Sequence, residues 1–356
     1  MRTLSKYLLR ELGFIFLNIS LSGILVYLLF DFLDRVDEFI SSKVSLTTIL
    51  LYFIFKIPMI LSQIMPGIFF ISIIILFSIL YSRNEIIAIL SGGIYFRRLI
   101  FFMLSISVFI SFLHFAVIQE AGSYGMFKSA EMWKKYVRNK ELIKNDIYNK
   151  WLIDKDKVIH FERFNLSTNK GTSIKVYEVD FSSNKILRYI TGDSFVYNKE
   201  RIIIDKAWIF APHSFSKEQV KQVNLKAQID FKSLATLSSD LPQEALSFTQ
   251  LTKIIEVFRK NGISVEELLA TWYGKYAYSF SIIILSILGV IIVYYLKNVY
   301  KSLLLGLGLI FSYYALFVIG STLAKKGILF PFLGGWLANI IFMFLILPYL
   351  FKILKE

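Results

Sequence analysis

The chain has no cysteine, which excludes disulfides and thiolate metal sites. Only three histidines occur, His114, His160 and His213, and they stand far apart. His114 falls inside an apolar run, where a neutral imidazole facing a neighbouring helix is expected. His160 reads as a strand residue. Proline is scarce, at 6 in 356 residues, and charge is low, at 19%, against roughly a quarter in soluble proteins. No G-x-x-x-x-G-K-S/T is present, and Gly320 to Gly327 has the wrong spacing for one. H-E-x-x-H and G-x-S-x-G are also missing. No basic run with interleaved aromatics points to nucleic acid. These absences give no support to an enzyme active site, and no metal or cofactor bound by this chain is expected.

What fills the chain is hydrocarbon. Hydrophobic residues make up 56%, with 34 Phe and 20 Tyr, and mean hydropathy is +0.59. This is a membrane-protein composition. The run Phe14 to Phe32 is about as long as a full span, and no small-residue cleavage site follows it, so no signal peptide is expected. Spans are predicted at 12–33, 58–80, 99–118, 276–296, 302–323 and 332–351. Leu46 to Tyr81 is too long for one span and carries only Lys56 as a charge. Residues 46–57 are read as an extension at or beyond the interface, with kinks at Pro58 and Pro66. Two spans there is the rival reading.

Net charge is +14. With six spans, one set of ends collects Arg2, Lys6, Arg10, Arg83, Arg97, Arg98, Lys297, Lys301, Lys352 and Lys355. The other side's short loops carry only Arg35, Lys43, Lys325 and Lys326, among Asp31, Asp34, Asp37 and Glu38. The positive-inside rule then puts both termini in the cytoplasm. Lys56 is expected to snorkel to the interface.

The chain divides into residues 1–118, 119–271 and 272–356. The middle part holds the β-rich runs VIHFERF, IKVYEVDF, KILRYI, SFVYN and RIIIDKAWIF. Turn signals separate them: Asp154-Lys155-Asp156, Ser182-Ser183-Asn184 and Asn198-Lys199-Glu200. The spacing suggests an antiparallel all-β domain. Residues 120–144 read as a helix continuing the third span. Ser247-Phe248-Thr249-Gln250 matches a capping box, and Leu251, Ile254, Ile255 and Phe258 share one helical face. Gly262 suits that helix's C-terminal cap.

Between the second and third spans lies RNEIIAILSGG, residues 83–93. A plain connection needs no amphipathic turn. Ile86, Ile87 and Leu90 form an apolar edge suited to a groove. Glu85 sits in the first turn, where a carboxylate suits the helix dipole, and Gly92 and Gly93 end the helix. On these residues alone, a docking helix and an interfacial helix without a partner stand level.

Four stretches, taken in order, resemble one family. They are Tyr7-Leu8-Leu9-Arg10-Glu11, then Arg83-x-Glu85-x-x-Ala88-x-x-x-Gly92-Gly93, then Trp272-Tyr273-x-Lys275-Tyr276-Ala277, where a usual following Pro is missing. The last is LAKKGILFPFLGGWLANIIF, with Gly327, Pro331, Trp336 and Asn339. They resemble the LptF/LptG permeases, membrane subunits of the lipopolysaccharide export ABC transporter, over nearly the whole chain. DFLDRVDEF and WLIDKDKVIHFERF look more like LptG than LptF.

The resemblance implies six transmembrane helices and a periplasmic β-jellyroll, in the bacterial inner membrane. It implies a heterodimer with a paralogous permease, an LptB-like ATPase dimer that uses ATP and Mg, and LptC-like and LptA-like β-jellyroll partners. The substrate implied is lipopolysaccharide, taken from the outer leaflet toward the outer membrane. Residues 83–93 become the coupling helix, with Arg83, Glu85, Ile86, Ala88, Leu90, Gly92 and Gly93 facing the ATPase. The substrate path is expected at Arg35 and Lys43, then Phe161, Tyr177 and Ile203. At Arg35 the surrounding acids leave three readings open: a direct phosphate clamp, a bridging divalent cation, or a solvated acidic loop. Ser302/Gly306 and Gly308/Ser312 are small-residue pairs suited to close helix approach, as gate or as packing. Topology alone also allows a membrane-anchored periplasmic sensor or scaffold without ATP coupling. A secondary transporter or an intramembrane hydrolase lacks its signature.

Overall fold

A helix needs about 20 apolar residues to cross a bilayer. In the computed structural model six helices among the described residues satisfy this by length and composition: Thr3–Ser41, Leu46–Ser82, Phe96–Val137, Glu266–Leu296, Val299–Lys325 and Pro331–Lys355, here spans 1 to 6. The structure describes residues 2–138, 145–180, 185–198, 200–212, 216–231, 234, 242–260 and 263–355. The turn expected at 182–184, Lys199, His213 and Gly262 lie outside the described residues.

Span 2 is one unbroken helix of 37 residues containing both Pro58 and Pro66. At 1.5 Å per residue it is about 55 Å long, well beyond the roughly 30 Å of hydrocarbon. Residues 46–57 are therefore part of the span 2 helix. Its N-terminus is capped by Ser45, whose side chain accepts from the Thr48 N–H. Span 3 continues past residue 118 as a helix, as the sequence suggests, and residues 139–144 of that reading lie outside the described residues. It passes through two π-helical turns, His114–Ile118 and Trp133–Val137, and continues to Val137.

Spans 2 and 4 form the centre of the bundle. Their most apolar windows are 72% and 67% buried, against 11% for span 1 and 22% for span 5. The core joins Phe70, Ile73 and Phe77 of span 2 to Leu285, Leu288 and Val293 of span 4. Leu8 and Leu12 of span 1 and Tyr313 of span 5 are buried in the same core. Helices approach closely where side chains are missing. A Cβ on Gly125 of span 3 would press on the Phe55 carbonyl and lie 3.1 Å from Pro58 Cγ.

The chain separates into two compact units. The helical bundle comprises Met1–Arg138, Glu244–Phe248 and Glu266–Glu356; the other unit comprises Asn139–Gln243 and Thr249–Val265. The second unit is a six-stranded antiparallel sheet in sequential order. Its strands are β1 (Asp146–Asp154), β2 (Lys157–Asn165), β3 (Lys170–Asp180), β4 (Lys185–Asn198), β5 (Arg201–Ala211) and β6 (Ser216–Lys226). KILRYI and SFVYN, read separately from sequence, belong to the single strand β4. Strands β1 and β6 were not legible, and β6 is almost wholly polar and exposed.

One sheet face is apolar and buried, with Phe161, Phe164, Ile174, Val176, Ile190, Phe195, Ile202 and Ile204. Phe231, from the segment after β6, stacks on Phe164 at 3.7 Å. The opposite face carries a ladder of rings. Trp151 stacks on Tyr177 at 6.1 Å, Tyr177 on Tyr189 at 4.8 Å, and Phe210 follows at 5.5 Å. Across β3 and β4, Arg188 holds Glu178 through two hydrogen bonds.

Gly125→Ala should lower the unfolding midpoint of the detergent-solubilised chain, since overpacking costs about 1–3 kcal/mol. Gly308→Ala, with no atom within 4 Å of the new Cβ, should leave it unchanged. Thermal unfolding of the two variants beside the parent chain checks this pair.

Candidate functional site

The short helix between spans 2 and 3 runs Glu85–Ser91. It starts from Asn84 in the left-handed region, at φ 58, without a side-chain cap. It ends with Gly92 N–H donating to the Ala88 carbonyl and Gly93 N–H to the Leu90 carbonyl, both at 3.0 Å. Gly93 takes φ +77, so it is the residue that requires glycine. Gly92 has an ordinary φ of −76.

The expected apolar edge divides. Ile86 is fully buried in the bundle core, while Ile87 is 57% and Leu90 42% exposed. One residue anchors the turn and two face outward with exposed Ala88. Glu85 is held from span 1: the Tyr7 hydroxyl donates to its carboxylate at 2.9 Å. Arg83 lies 3.8 Å from the same carboxylate. Both sequence stretches are thus joined by one hydrogen bond across 78 positions. No local pattern in the sequence links them.

Near the far end of span 1, Asp31 accepts from two cations. Arg35 Nε lies 3.0 Å and Lys56 Nζ 2.5 Å from the same oxygen. Asp31 Oδ2 is buried without a partner among the described residues. The Arg35 guanidinium lies 4.3 Å over the Trp133 ring, and Lys56 lies 4.9 Å from the Tyr52 ring. Lys56 is only 5% exposed. It does not snorkel to an interface, because Asp31 pairs it inside the protein.

The acids expected around Arg35 take separate places. Glu38 pairs with Arg138 at 2.8 Å, and Asp34 and Asp37 are exposed. Lys43 is exposed in the turn joining spans 1 and 2, at φ 52. Among the described residues no group of three His, Asp or Glu is placed to hold a metal ion. Trp133 escaped the sequence reading, which gives Lys56 only as a snorkelling residue and not as Asp31's partner. A lone lysine in an apolar run was the usable signal, since such a charge needs a partner.

The three β-domain positions do not share a surface. Phe161 is buried on the apolar face among Phe164, Phe195 and Phe231. Tyr177 belongs to the ring ladder on the other face. Ile203 lies between the inward-facing Ile202 and Ile204, opposite Val196 and Asn224, so it also points to the ladder side.

The small-residue pairs of span 5 divide as well. Ser302 and Gly306 are buried, and a Cβ on Gly306 would collide with Ile74 of span 2. Gly308 and Ser312 are on the exposed side. The first pair packs within the bundle; only the second faces outward.

The two described histidines each find a partner for Nε2. His114 Nε2 lies 3.0 Å from the Ser62 carbonyl of span 2, and Nδ1 lies 2.8 Å from the Ser279 hydroxyl of span 4. The carbonyl only accepts, so in the neutral ring Nε2 carries the proton. His160 Nε2 meets Asn149 Oδ1 at 2.7 Å.

Lys56→Met should destabilise the chain by about 3 kcal/mol, because it leaves a buried carboxylate beside a single, partly exposed cation. The double variant Asp31→Asn with Lys56→Met should recover much of that loss. Gly93→Ala should destabilise more than Gly92→Ala, since only Gly93 sits at positive φ. Chemical or thermal unfolding in one detergent measures both comparisons.

Two findings from known proteins bear on this arrangement. No curated protein matches the chain in sequence. A family model, described as lipopolysaccharide export system permease LptF/LptG, matches residues 6–352. That match takes in the helix pair joined by Tyr7 and Glu85, the whole inserted sheet, and all six spans but for the first residues of span 1 and the last of span 6. A chain of six membrane-length helices with a six-stranded sheet between the third and fourth, matched almost end to end, belongs to the LptF/LptG family of lipopolysaccharide export permeases.

Proposed function

We propose that this chain is a transmembrane subunit that draws lipopolysaccharide from the outer leaflet of the inner membrane. It passes the lipid to a periplasmic bridge toward the outer membrane. It works as an LptG-type half of a heterodimer with a paralogous permease. An LptB-like ATPase dimer supplies the energy from ATP and Mg, and LptC-like and LptA-like proteins continue the β-path. The charge bias of the short loops supports cytoplasmic termini and a periplasmic sheet domain.

The observation that carries the reading is the tethered helix Glu85–Ser91. Its core-facing Ile86 and the Tyr7 hydrogen bond fix it to the bundle, and exposed Ile87 and Leu90 form the docking edge. A force applied to this edge reaches span 1 directly through Tyr7. Glu85→Lys should reduce ATPase recovered with the full complex at least tenfold, with insertion unchanged. Tyr7→Phe should retain the ATPase but lower lipid release per ATP hydrolysed. Equal recovery and equal release in both variants overturns the coupling role.

Arg35 is the phosphate-facing group of this proposal. Its Nε is taken by Asp31 and one face of its guanidinium plane by Trp133, and the terminal nitrogens supply the planar donor pair a phosphate accepts. Arg35→Ala should raise the half-saturating lipopolysaccharide concentration in stimulated ATPase titrations. Arg35→Lys should not restore it, because an ammonium lacks both the stacking plane and the fork.

In the sheet domain the acyl path is the apolar face. A photo-crosslinker at Phe161 should capture lipid during ATP turnover, and one at Tyr177 should not. Capture at Tyr177 alone would place the path on the ring ladder instead.

A further inference from the structure

A cavity of about 360 Å³ opens within the bundle, among residues of spans 2, 3, 4 and 5. It lies at a different place from the Arg35 cluster and shares no residue with it. Much of its wall is apolar, including Met59, Met126, Phe317 and Val318. Val318, at the rim on span 5, is 59% exposed.

Lys275 of span 4 lines this space and is only 8% exposed. Its ammonium donates to the Ser123 hydroxyl at 2.7 Å and to the Glu244 carbonyl at 3.3 Å. Both acceptors are neutral. An ammonium carries three donors, and a buried charge is costly unless an opposite charge answers it. The Glu244 carboxylate on the same wall is already paired with Lys325. Glu120 and the Glu244 carboxylate both attract Lys275 from beyond ion-pair distance, and Glu120 also accepts from the Phe248 N–H at 2.7 Å. Among the described residues the wall itself carries Lys275 and Lys325 with the Glu244 carboxylate, beside a mainly apolar space.

We propose that this cavity binds one amphiphile by its acidic group and the first part of its apolar tail, with Lys275 as the ionic anchor. The chemistry is a carboxylate or phosphate anion on an acyl chain, supplied by a free fatty acid or an anionic phospholipid. The site goes beyond lipopolysaccharide export and does not depend on it.

The test uses the full chain in dodecyl maltoside and a diazirine-bearing palmitic acid. Label should map to peptides containing Met126, Phe317 or Val318. Oleate or dioleoylphosphatidylglycerol should compete at least tenfold better than monoolein, and the stronger of the two assigns the source. Lys275→Met should reduce labelling at least fivefold, and Lys275→Arg should retain it. Gly274→Leu narrows the same space from span 4 and leaves Lys275 in the sequence; a Cβ there meets only the Phe317 ring within 4 Å, at 3.9 Å. It should also reduce labelling at least fivefold, and it decides the matter if Lys275→Met does not fold. Equal competition by monoolein, label mapped outside the cavity, or undiminished label in Gly274→Leu overturns the proposal.

Discussion

Polar groups inside membrane-length helices must find their partners within the protein, and span 2, together with span 4, is where most of the described ones find one. Its Lys56 pairs with Asp31 of span 1. The Ser62 carbonyl meets His114 of span 3, and the Gln63 carbonyl accepts from Tyr278 of span 4. Lipid tails offer no hydrophobic drive for helix association, so packing and such hydrogen bonds decide which helices stay together. Spans 3 and 5 gain access to this hub through Gly125 and Gly306. The consequence is an uneven bundle. Spans 2 and 4 are consumed by internal packing, while spans 1 and 5 keep long apolar faces outward.

That unevenness fits a subunit built to meet another chain. An apolar face on a membrane helix needs no partner of its own, because lipid suffices. The outward pair Gly308 and Ser312 adds a place where a second helix can come near, whereas Ser302 and Gly306 are already committed to span 2. The same economy governs the two charged sites. Asp31 stands between Arg35 and Lys56 and offsets part of their repulsion, which lets two cations sit side by side at a span end. Glu85 is steadied by Tyr7, so the carboxylate on the short helix has a fixed direction even though it remains partly exposed.

The sequence by itself determined the number of spans, the presence of a β-insert and the amphipathic piece between spans 2 and 3. Run length, two-residue alternation and turn residues are local quantities, and each of these features is local. It also carried the family resemblance, because that rests on short stretches in order. Tertiary structure alone decided which residues meet. Alternation placed Phe161 and Tyr177 on strands, but only the strand register put them on opposite faces. Ile86, Ile87 and Leu90 look equivalent in the sequence, yet the direction in which the short helix lies against the core buries one and exposes two. The partner of Lys56 is 25 residues away and that of Glu85 is 78. A lone charge in an apolar run announces that a partner is required. Which partner answers depends on how helices distant in sequence come to lie side by side, and that is set by packing rather than by any pattern along the chain.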